Sequence, residues 1–371
     1  MKTKKCPSCG QSMKRNGFTK AGAQRWRCKS CGASSVHRYD TDARDLERFL
    51  GWLLSKDGQL AMPGQGRSFR RMAERFWRIW PIPDVVDEVH RVVYVDGIYL
   101  ARGLVVLIAC SDEHVLSWYL AREETTRAWR ALLSRIAPPE MVVTDGGSGF
   151  ASAVAEEWPE TRVQRCLFHA FCQVKRCTTT RPKLQAGREL YGLAKELMRI
   201  GDLRQAEWWV KRYMQWNEFW CDFLEDRTMV DGRWEYTHER LRKARRGLNT
   251  LLNKDLLFTY LDPRLVLEGP MPRTNNRIEG GVNAQLRSML RNHRGMGEMR
   301  RVKAVCWWCY MHTECPLPAS EILRSMPTDE DIDLLYELYA EKPREHDEPA
   351  WGDRPVWQEF HHQRPYPKAI I

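Results

Sequence analysis

Three consecutive apolar segments constrain the fold of this chain more than any other feature of the sequence. They are residues 91–100 (RVVYVDGIYL), 103–110 (GLVVLIAC) and 115–121 (VLSWYLA), and short turns separate them. Runs of this length that are rich in Val, Ile and aromatic residues are typical of strands buried on both faces. The sequence therefore predicts a β-meander at the centre of a mixed α/β body, with 91–100 as a buried central strand.

Further elements follow the meander in an order that narrows the fold class. We expect a helix over 125–136, a strand over 141–144, a helix over 150–158 and a strand over 162–166. The order β-β-β-α-β-α-β is that of an RNase H-like domain. The predicted fold class is therefore α/β with an RNase H-like core.

Two aspartates stand at unusual places in these strands. Asp96 interrupts an apolar strand, where a carboxylate is costly unless something compensates its charge, as a bound cation does. Asp145 ends the fourth strand, directly before Gly146-Gly147. If the first and fourth strands are neighbours, both carboxylates reach one crevice at the edge of the sheet. A lone Asp-Gly is more often a simple turn, but two aspartates on hydrophobic strands in this order favour a site.

A third carboxylate lies far along the chain, in residues 273–283 (RTNNRIEGGVN). This segment predicts a helix that begins after an N-cap at Thr274 or Asn275 and that presents Glu279 and Asn283 on one face. Arginines surround it, namely Arg273, Arg277, Arg287, Arg291 and Arg294. Two Asp and one Glu beside arginines are suited to binding divalent cations and a phosphate backbone.

The N-terminus contains two C-x-x-C pairs, Cys6/Cys9 and Cys28/Cys31, with 18 residues between them. Four thiolates at this spacing can form one tetrahedral Zn²⁺ site, and a β-hairpin over 13–26 would complete a zinc ribbon. So short a unit cannot build a stable core alone, so we expect one structural zinc ion to stabilise it.

Two other groups of cysteines do not predict a second zinc site. Residues 166–172 (CLFHAFC) lack a fourth zinc ligand at a standard spacing. Cys306 and Cys309 are better explained as one buried helical face.

Two amphipathic helices are predicted after the ribbon. Leu46, Phe49, Leu50, Leu53 and Leu54 form the apolar stripe of the first helix. Phe69, Met72, Ala73, Phe76 and Trp77 form that of the second, with Ser68 as its N-cap candidate. A Gly-rich linker, 58–66, separates the two helices. A helix-turn-helix-like DNA reader explains this pattern, and a solvated basic helix pair is the alternative.

Charge is concentrated in this N-terminal part. The net charge is +11, and residues 1–80 hold 18 Lys/Arg against 6 Asp/Glu, so the remainder is close to neutral. A basic module attached to a neutral body indicates a polyanionic partner such as nucleic acid or an anionic membrane, and charge alone does not decide between them. The candidate DNA-contacting residues are Lys14, Arg15, Arg25, Arg27, Arg67, Arg70, Arg71, Arg75, Arg273, Arg277 and Arg287.

No apolar run approaches the roughly 18 residues that a membrane helix needs, and the opening residues do not form a signal peptide. Twelve cysteines without such a signal indicate a reducing compartment. We therefore expect a cytoplasmic protein without a membrane partner.

Four ordered motifs are similar to those of a known family. They are VDG at 95–97, TDG at 144–146, Cys166-x-x-His169, and TNN-x-x-E-x-x-N at 274–283. Over residues 91–300 the chain thus resembles the bacterial insertion-sequence transposases of the Mutator-like DDE superfamily. The resemblance implies that Asp96, Asp145 and Glu279 are catalytic and bind Mg²⁺ (or Mn²⁺), two ions per active site. It gives Cys166 and His169 a structural or accessory role, and Asn283 is a further accessory candidate.

The resemblance also implies a helical insertion between the fifth strand and the Glu279 helix, and helical periodicity in 178–270 agrees with it. Tryptophans in that segment (Trp208, Trp209, Trp216, Trp220 and Trp234) could pack in a helical core or stack on an unpaired base. The predicted domains are a zinc ribbon (1–37), a helical DNA-binding module (41–83), a catalytic core (90–177 with 271–315), an all-helical insertion (178–270) and a C-terminal tail (316–371).

The functional hypothesis is a transposase that cleaves the ends of an insertion sequence and joins the freed 3′-OH to target DNA. In a two-metal mechanism Asp96 would bridge both ions, while Asp145 and Glu279 would each complete one coordination shell. Synapsis of two ends suggests a homodimer or higher oligomer near the bacterial nucleoid. Two alternatives stay open: an RNase H-like nuclease, and a non-catalytic DNA-binding regulator derived from a transposase.

Overall fold

The computed structural model describes residues 4–36 and 41–341. Its first unit is a small antiparallel sheet with strand order β1-β2-β3, formed by β1 (Met13–Phe18), β2 (Gln24–Cys28) and β3 (Ser34–Val36). Pairing of Arg15 with Trp26 confirms the predicted hairpin. Among residues 4–36, Cys6, Met13 and Cys28 form the buried core of this unit, which is too little apolar surface to hold it together without the cysteine cluster.

Two helices follow, α1 (Asp42–Leu54) and α2 (Arg67–Ala73), and a 3₁₀ turn (Glu74–Arg78) continues the second. The predicted apolar stripes are confirmed, except that Leu54 is exposed. The prediction of Ser68 as N-cap is wrong, because α2 begins at Arg67 after Gly66, and the Ser68 hydroxyl donates instead to the carbonyl of Pro63. Gly66 has a φ of 80°, a left-handed conformation that favours glycine.

The main sheet has five strands in the order β6-β5-β4-β7-β8. The strands and intervening helices are β4 (Val92–Ala101), β5 (Leu104–Cys110), β6 (Val115–Ala121), α3 (Thr126–Leu133), β7 (Met141–Thr144), α4 (Ser148–Glu157) and β8 (Arg162–Arg165). The predicted order of elements is confirmed. The meander is antiparallel, whereas β7 and β8 run parallel to the central strand β4.

Alternation along β4 assigns its side chains to two cores. Val93 and Val95 face α3 and α4, whose Trp129 and Phe150 rings meet edge to face. Tyr94 belongs to the opposite, larger core. Since residues two apart in a strand point to the same face, Asp96 projects on the side of Tyr94. This larger core also contains the buried faces of α1 and α2.

The segment after β8 is mostly helical. It contains α5 (Leu167–Thr178), α6 (Gln185–Leu197), α7 (Leu203–Phe219), α8 (Cys221–Glu225), β9 (Arg227–Val230), β10 (Arg233–Tyr236) and α9 (Glu239–Asn253). The prediction of an all-helical insertion is therefore wrong, because β9 and β10 form an antiparallel hairpin. Its turn is Asp231-Gly232, with both φ angles positive, which is the turn geometry that matches the twist of paired strands.

Four of the five tryptophans of this segment fall into two groups. Trp209 and Trp216 are buried, and their indole N–H groups donate to carbonyls of α6, at Leu193 and Ala186 respectively. Core packing is thus confirmed for these two. Trp208 and Trp234 are 60% and 64% exposed, so packing does not account for them.

The last described part of the chain contains a π-helix (Arg277–Asn283), α10 (Ala284–Asn292), α11 (Glu298–Met311), α12 (Ala319–Ser325) and α13 (Asp329–Glu341). Cys306 and Cys309 are buried within α11, as predicted. Buried Lys303 of α11 bonds to Asp329 and to the carbonyl of Trp77, which joins α13 to the N-terminal helices. The aromatic part of the predicted tail (Trp351, Trp357 and Tyr366) lies outside the described residues. No helix within 4–36 and 41–341 is long and apolar enough to span a membrane.

Candidate active site

Strand pairing brings the two aspartates of the sheet together. In the parallel pair of β4 and β7, Tyr94 lies opposite Val143. Asp96 lies two residues further along β4, and Asp145 lies two residues beyond Val143, directly after the end of β7, so both side chains start from the same edge of the sheet. The expectation that the first and fourth strands are neighbours is therefore confirmed.

Glu279 reaches the same place from the π-helix. The Asn283 side-chain amide donates a 2.6 Å hydrogen bond to one oxygen of Asp96, and the amide of Gly97 donates to the other at 2.9 Å. The Asn275 side chain donates to the carbonyl of Val95 at 3.0 Å. Two asparagines thus attach the π-helix to β4 on both sides of Glu279.

The helix start agrees with the prediction in its position, because Asn275 was one of the two expected N-cap residues. The carbonyl of Asn275 accepts the backbone N–H of Glu279 at 3.1 Å, Asn276 is already helical, and the π-helix begins at Arg277. Asn275 cannot cap the helix with its side chain because that side chain is fully buried and bonded to β4. π-Helical turns are rare and are frequently found at functional sites, and consecutive Gly280 and Gly281 weaken the ordinary α-helical alternative here.

A fourth carboxylate, Glu124, was missed by the sequence analysis. It lies in the connection between β6 and α3, and one of its oxygens is so close to Gly97 that an added β-carbon there would meet it at 2.6 Å. The Tyr99 hydroxyl hydrogen-bonds to it. Because β6 runs parallel to β4, residues that follow its C-terminal end emerge at the same edge as Asp145, and that topological rule could have identified Glu124.

Burial and mutual repulsion raise the pKa values of three of these carboxylates. Burial, and then the charge of Asp145, raises the pKa of Asp96 to about 6, against the lowering effect of Gly97, Asn283 and Arg287. Burial and the two aspartates likewise raise the pKa of Glu279 to about 7 and that of Glu124 to about 7. Four acidic groups in a partly buried crevice are stabilised as anions by a cation between them.

Two further observations support a cation here. The side-chain oxygen of Asn283 is buried and has no hydrogen-bond partner among the described residues, although its amide group contacts Asp96. The donor set consists of carboxylate and amide oxygens, the ligand type that Mg²⁺ and Mn²⁺ prefer. The residues present therefore fit divalent cations of this class.

Close packing also explains the glycine of the TDG motif. Gly146 has a φ of 90°, and a β-carbon added there would lie 2.0 Å from the guanidinium of Arg165. Arg165 thus lies directly over the turn that follows Asp145. Burial lowers the pKa of Arg165, and the neighbouring Asp145 opposes that effect.

Cys166 and His169 lie beside Glu279. Ligand atoms of the three residues are all within 4.8 Å of one another, and Nδ1 of His169 is 3.3 Å from an oxygen of Glu279. Cys166 is buried, and its sulfur accepts the backbone N–H of Asn275 at 3.2 Å. Burial lowers the pKa of His169. The pair therefore contacts both the Glu279 carboxylate and the segment that positions it.

The predicted arginines take different positions. Arg287 is exposed on α10, and its charge lowers the pKa values of both Asp96 and Glu279. Arg273 and Arg277 donate instead to carbonyls, those of Ile200 and Glu113. Arg75 pairs with Asp42 and Asp45. The remaining candidates, Lys14, Arg15, Arg25, Arg27, Arg67, Arg70 and Arg71, are exposed.

The N-terminal cysteines converge as a compact group. The sulfurs of Cys6 and Cys31 are 3.5 Å apart, as are those of Cys9 and Cys28, and all four lie within 4.8 Å of one another. The amide of Ser8 lowers the pKa of Cys6 to about 6. Such an arrangement of four thiols is compatible with one tetrahedral zinc ion.

Comparison with known proteins bears on the middle of the chain. No curated protein sequence matches it. A family model described as the MULE transposase domain matches residues 97–173, which supports a relation to Mutator-like transposases. The matched segment contains Glu124, Asp145, Cys166 and His169, begins one residue after Asp96 and ends before Glu279. Over these 77 residues the chain is thus similar to a transposase domain.

Proposed function

We propose that the protein is a DNA transposase with an RNase H-like core, which cleaves the ends of a mobile element and joins them to target DNA. The observation that carries this proposal is the convergence of Asp96, Asp145 and Glu279 from three separated parts of the chain. The match to a transposase domain and the strand order around Asp96 support it.

Each side chain then has a defined task. Asp96, Asp145 and Glu279 would hold divalent cations of the Mg²⁺ or Mn²⁺ type, two per active site. Such ions make an attacking hydroxyl more nucleophilic and stabilise the charge on a leaving oxygen. Asn283 and the amide of Gly97 fix both oxygens of Asp96, and their hydrogen bonds favour its ionised form.

Cationic side chains would position the DNA strand. Arg287 faces the carboxylates from α10, and Arg165 lies over the Asp145 turn; both can contact non-bridging phosphate oxygens. In the first step, water attacks the scissile phosphorus and the 3′ oxygen leaves. In the second step, that 3′-OH attacks a target phosphorus and displaces another 3′ oxygen. Both steps are in-line displacements, so one site serves both.

The test uses plasmid DNA that carries the sequences flanking the coding region, incubated with the full chain and Mg²⁺. We expect nicking at the element ends followed by strand joining, and loss of both in Asp96→Asn, Asp145→Asn and Glu279→Gln. The exposed Glu321→Gln is the matched control and should keep both activities. Full activity in the Asp96 variant would refute the assignment. Cutting without joining would favour the RNase H-like nuclease, and DNA binding without either would favour a regulator.

We further propose that the four N-terminal cysteines bind one structural Zn²⁺ and that the ribbon and basic helices recognise the element ends. Two ends must be brought together before joining, so a homodimer or higher oligomer is the expected active form, acting at the bacterial nucleoid. Mass photometry of the protein mixed with end-containing DNA tests this, and a single chain per active complex would contradict it.

A further inference from the structure

A second feature of the surface lies away from the acidic crevice. A cleft of about 650 Å³ separates the connection between α1 and α2 from the turn between α10 and α11. Four arginines are among its lining residues: Arg70, Arg291, Arg294 and Arg300. No Asp or Glu occurs among the lining residues, all of which belong to the described part of the chain. The cleft is therefore strongly cationic and open to a ligand of negative charge.

The four arginines of the cleft differ in whether a carboxylate already pairs with them. Arg300 contacts both oxygens of Glu74 at 2.8 Å, so its charge is already compensated. Arg70, Arg291 and Arg294 are exposed, and no carboxylate partner is found for them among the described residues. Three guanidinium groups in one concave surface repel one another unless an anion lies between them.

The cleft wall supplies a further donor. Trp52 is 3% exposed, and its indole N–H has no hydrogen-bond acceptor within the described residues. The ring of His293 lies 4.4 Å from the Trp52 ring, and its Nε2 bonds to the carbonyl of Leu53, so this wall is fixed by packing. A buried donor without a partner beside a cationic cleft leaves one hydrogen bond to be supplied from outside the chain, by a ligand or by water.

The position of the cleft suggests which anion binds. Arg287 and Arg291 are one turn apart on α10, so they share a face; Arg287 acts on the carboxylates and Arg291 lines the cleft. From Glu279 to Arg291 the helix axis spans roughly 17 Å, which corresponds to about five nucleotides of one DNA strand. A basic track thus leads from the acidic crevice to the cleft.

We propose that this cleft binds the phosphate backbone of duplex DNA about five nucleotides from the cleaved bond, through Arg70, Arg291 and Arg294. The inference rests on the proposed function for the identity of the nucleic acid. In this proposal the N-terminal helices and the helix that carries Glu279 form one shared DNA-binding surface. Arg70 comes from α2, whereas Arg291 comes from α10, so binding DNA would fix the two elements relative to each other.

The experiment measures binding of the full chain to a fluorescent duplex over a range of salt concentrations without Mg²⁺. We expect Arg70→Gln/Arg291→Gln to bind roughly tenfold more weakly near physiological salt, and its log K against log salt slope to fall by about two. The matched control is Arg204→Gln/Lys211→Gln, two exposed cations of α7, which removes the same charge. All four positions are exposed, and melting temperatures will establish that each variant is folded.

The outcomes separate the two proposals. If the wild type binds and both double variants lose the same affinity, only net charge matters and the cleft proposal is wrong. An unchanged slope in the cleft variant also overturns it. Displacement of the duplex by a mononucleotide at equal concentration would mean a nucleotide pocket instead of a backbone site. If the log K against log salt slope falls in the cleft variant while Asp96→Asn still cleaves DNA fully, the cleft proposal stands and the catalytic assignment is refuted.

Discussion

Replacing Asp96 with Asn should make the protein more stable while it abolishes cleavage. Burial and Asp145 raise the pKa of Asp96 from 3.8 to about 6, and one pKa unit corresponds to about 1.4 kcal/mol. Ionising Asp96 in the folded chain therefore costs at most about 3 kcal/mol. Asparagine carries no charge, and the unpartnered oxygen of Asn283 can accept its N–H if the Asn283 amide turns over. Both effects make folded Asp96→Asn more stable than the folded wild type.

The sign of the pH dependence follows from the raised pKa. The folded chain holds the Asp96 proton more tightly than the unfolded chain, so stability from this group is full below pH about 4 and is lost as pH rises through about 6. At about pH 8 the variant should gain about 1–3 kcal/mol, which for a chain of this size raises Tm by roughly 2–4 °C. Near pH 4 the two proteins should be equal.

Differential scanning fluorimetry at the two pH values measures the difference in Tm between Asp96→Asn and the wild type. Each protein is measured with and without millimolar Mg²⁺, in buffer that contains no chelator. Mg²⁺ should raise the Tm of the wild type at the higher pH and leave Asp96→Asn unchanged, because binding to the folded state alone stabilises it. The control is Asp231→Asn, which removes the same charge at an exposed turn of positive φ that Asn tolerates. A variant that is less stable than the wild type at the higher pH, or a difference that is the same at both, would refute the reasoning.

Three other substitutions test neighbouring features. Glu124→Gln should raise the Mg²⁺ concentration needed for half-maximal cleavage severalfold because it removes the fourth carboxylate, whereas exposed Glu123→Gln should not; equal behaviour of the two counts against Glu124. Asn283→Ala removes the 2.6 Å bond that lowers the pKa of Asp96, so the acidic limb of the pH–rate profile should move up by about half to one unit; a slower rate with an unmoved limb would mean a purely structural role. Cys6→Ser should reduce bound zinc from one per chain to near zero and weaken binding to element ends, with near-UV circular dichroism of the main body retained; unchanged zinc content would exclude this cysteine as a ligand.

Sequence reasoning succeeded where strand order alone decides the geometry. Asp96 and Asp145 could be paired because both lie on apolar runs, and the order of elements made those strands parallel neighbours. Glu124 could not be recognised from its own surroundings, because two consecutive glutamates before a helix look like an ordinary solvated helix start. Only the parallel relation of β6 and β4 shows that Glu124 emerges at the same edge.

The other differences between prediction and structure have two causes: packing between distant parts of the chain, and apolar patterns that are too short to distinguish one kind of helix from another. Ile278, Val282 and Leu286 are spaced by four residues, which suits a buried stripe on either an α- or a π-helix over so short a length. The stripe of α1 showed which face is buried but not that it packs into the large core beside α11, as the 6.3 Å contact of the Phe49 and Trp307 rings shows. The β9–β10 hairpin was missed although Asp231-Gly232 is a strong hairpin signal.

The bond between Asn283 and Asp96 joins residues 187 positions apart in the chain, and it has a bearing on synthesis. A ribosome that has released only the sheet and the helices after it has produced both aspartates, yet Glu279 and its asparagine anchors are still to come. Fragments truncated within that helical segment would fold around an incomplete acidic group. On the proposed function, the capacity to cut DNA then arises only after Glu279 and its asparagine anchors have been synthesised, and a fragment that ends before them lacks one of the three proposed catalytic carboxylates.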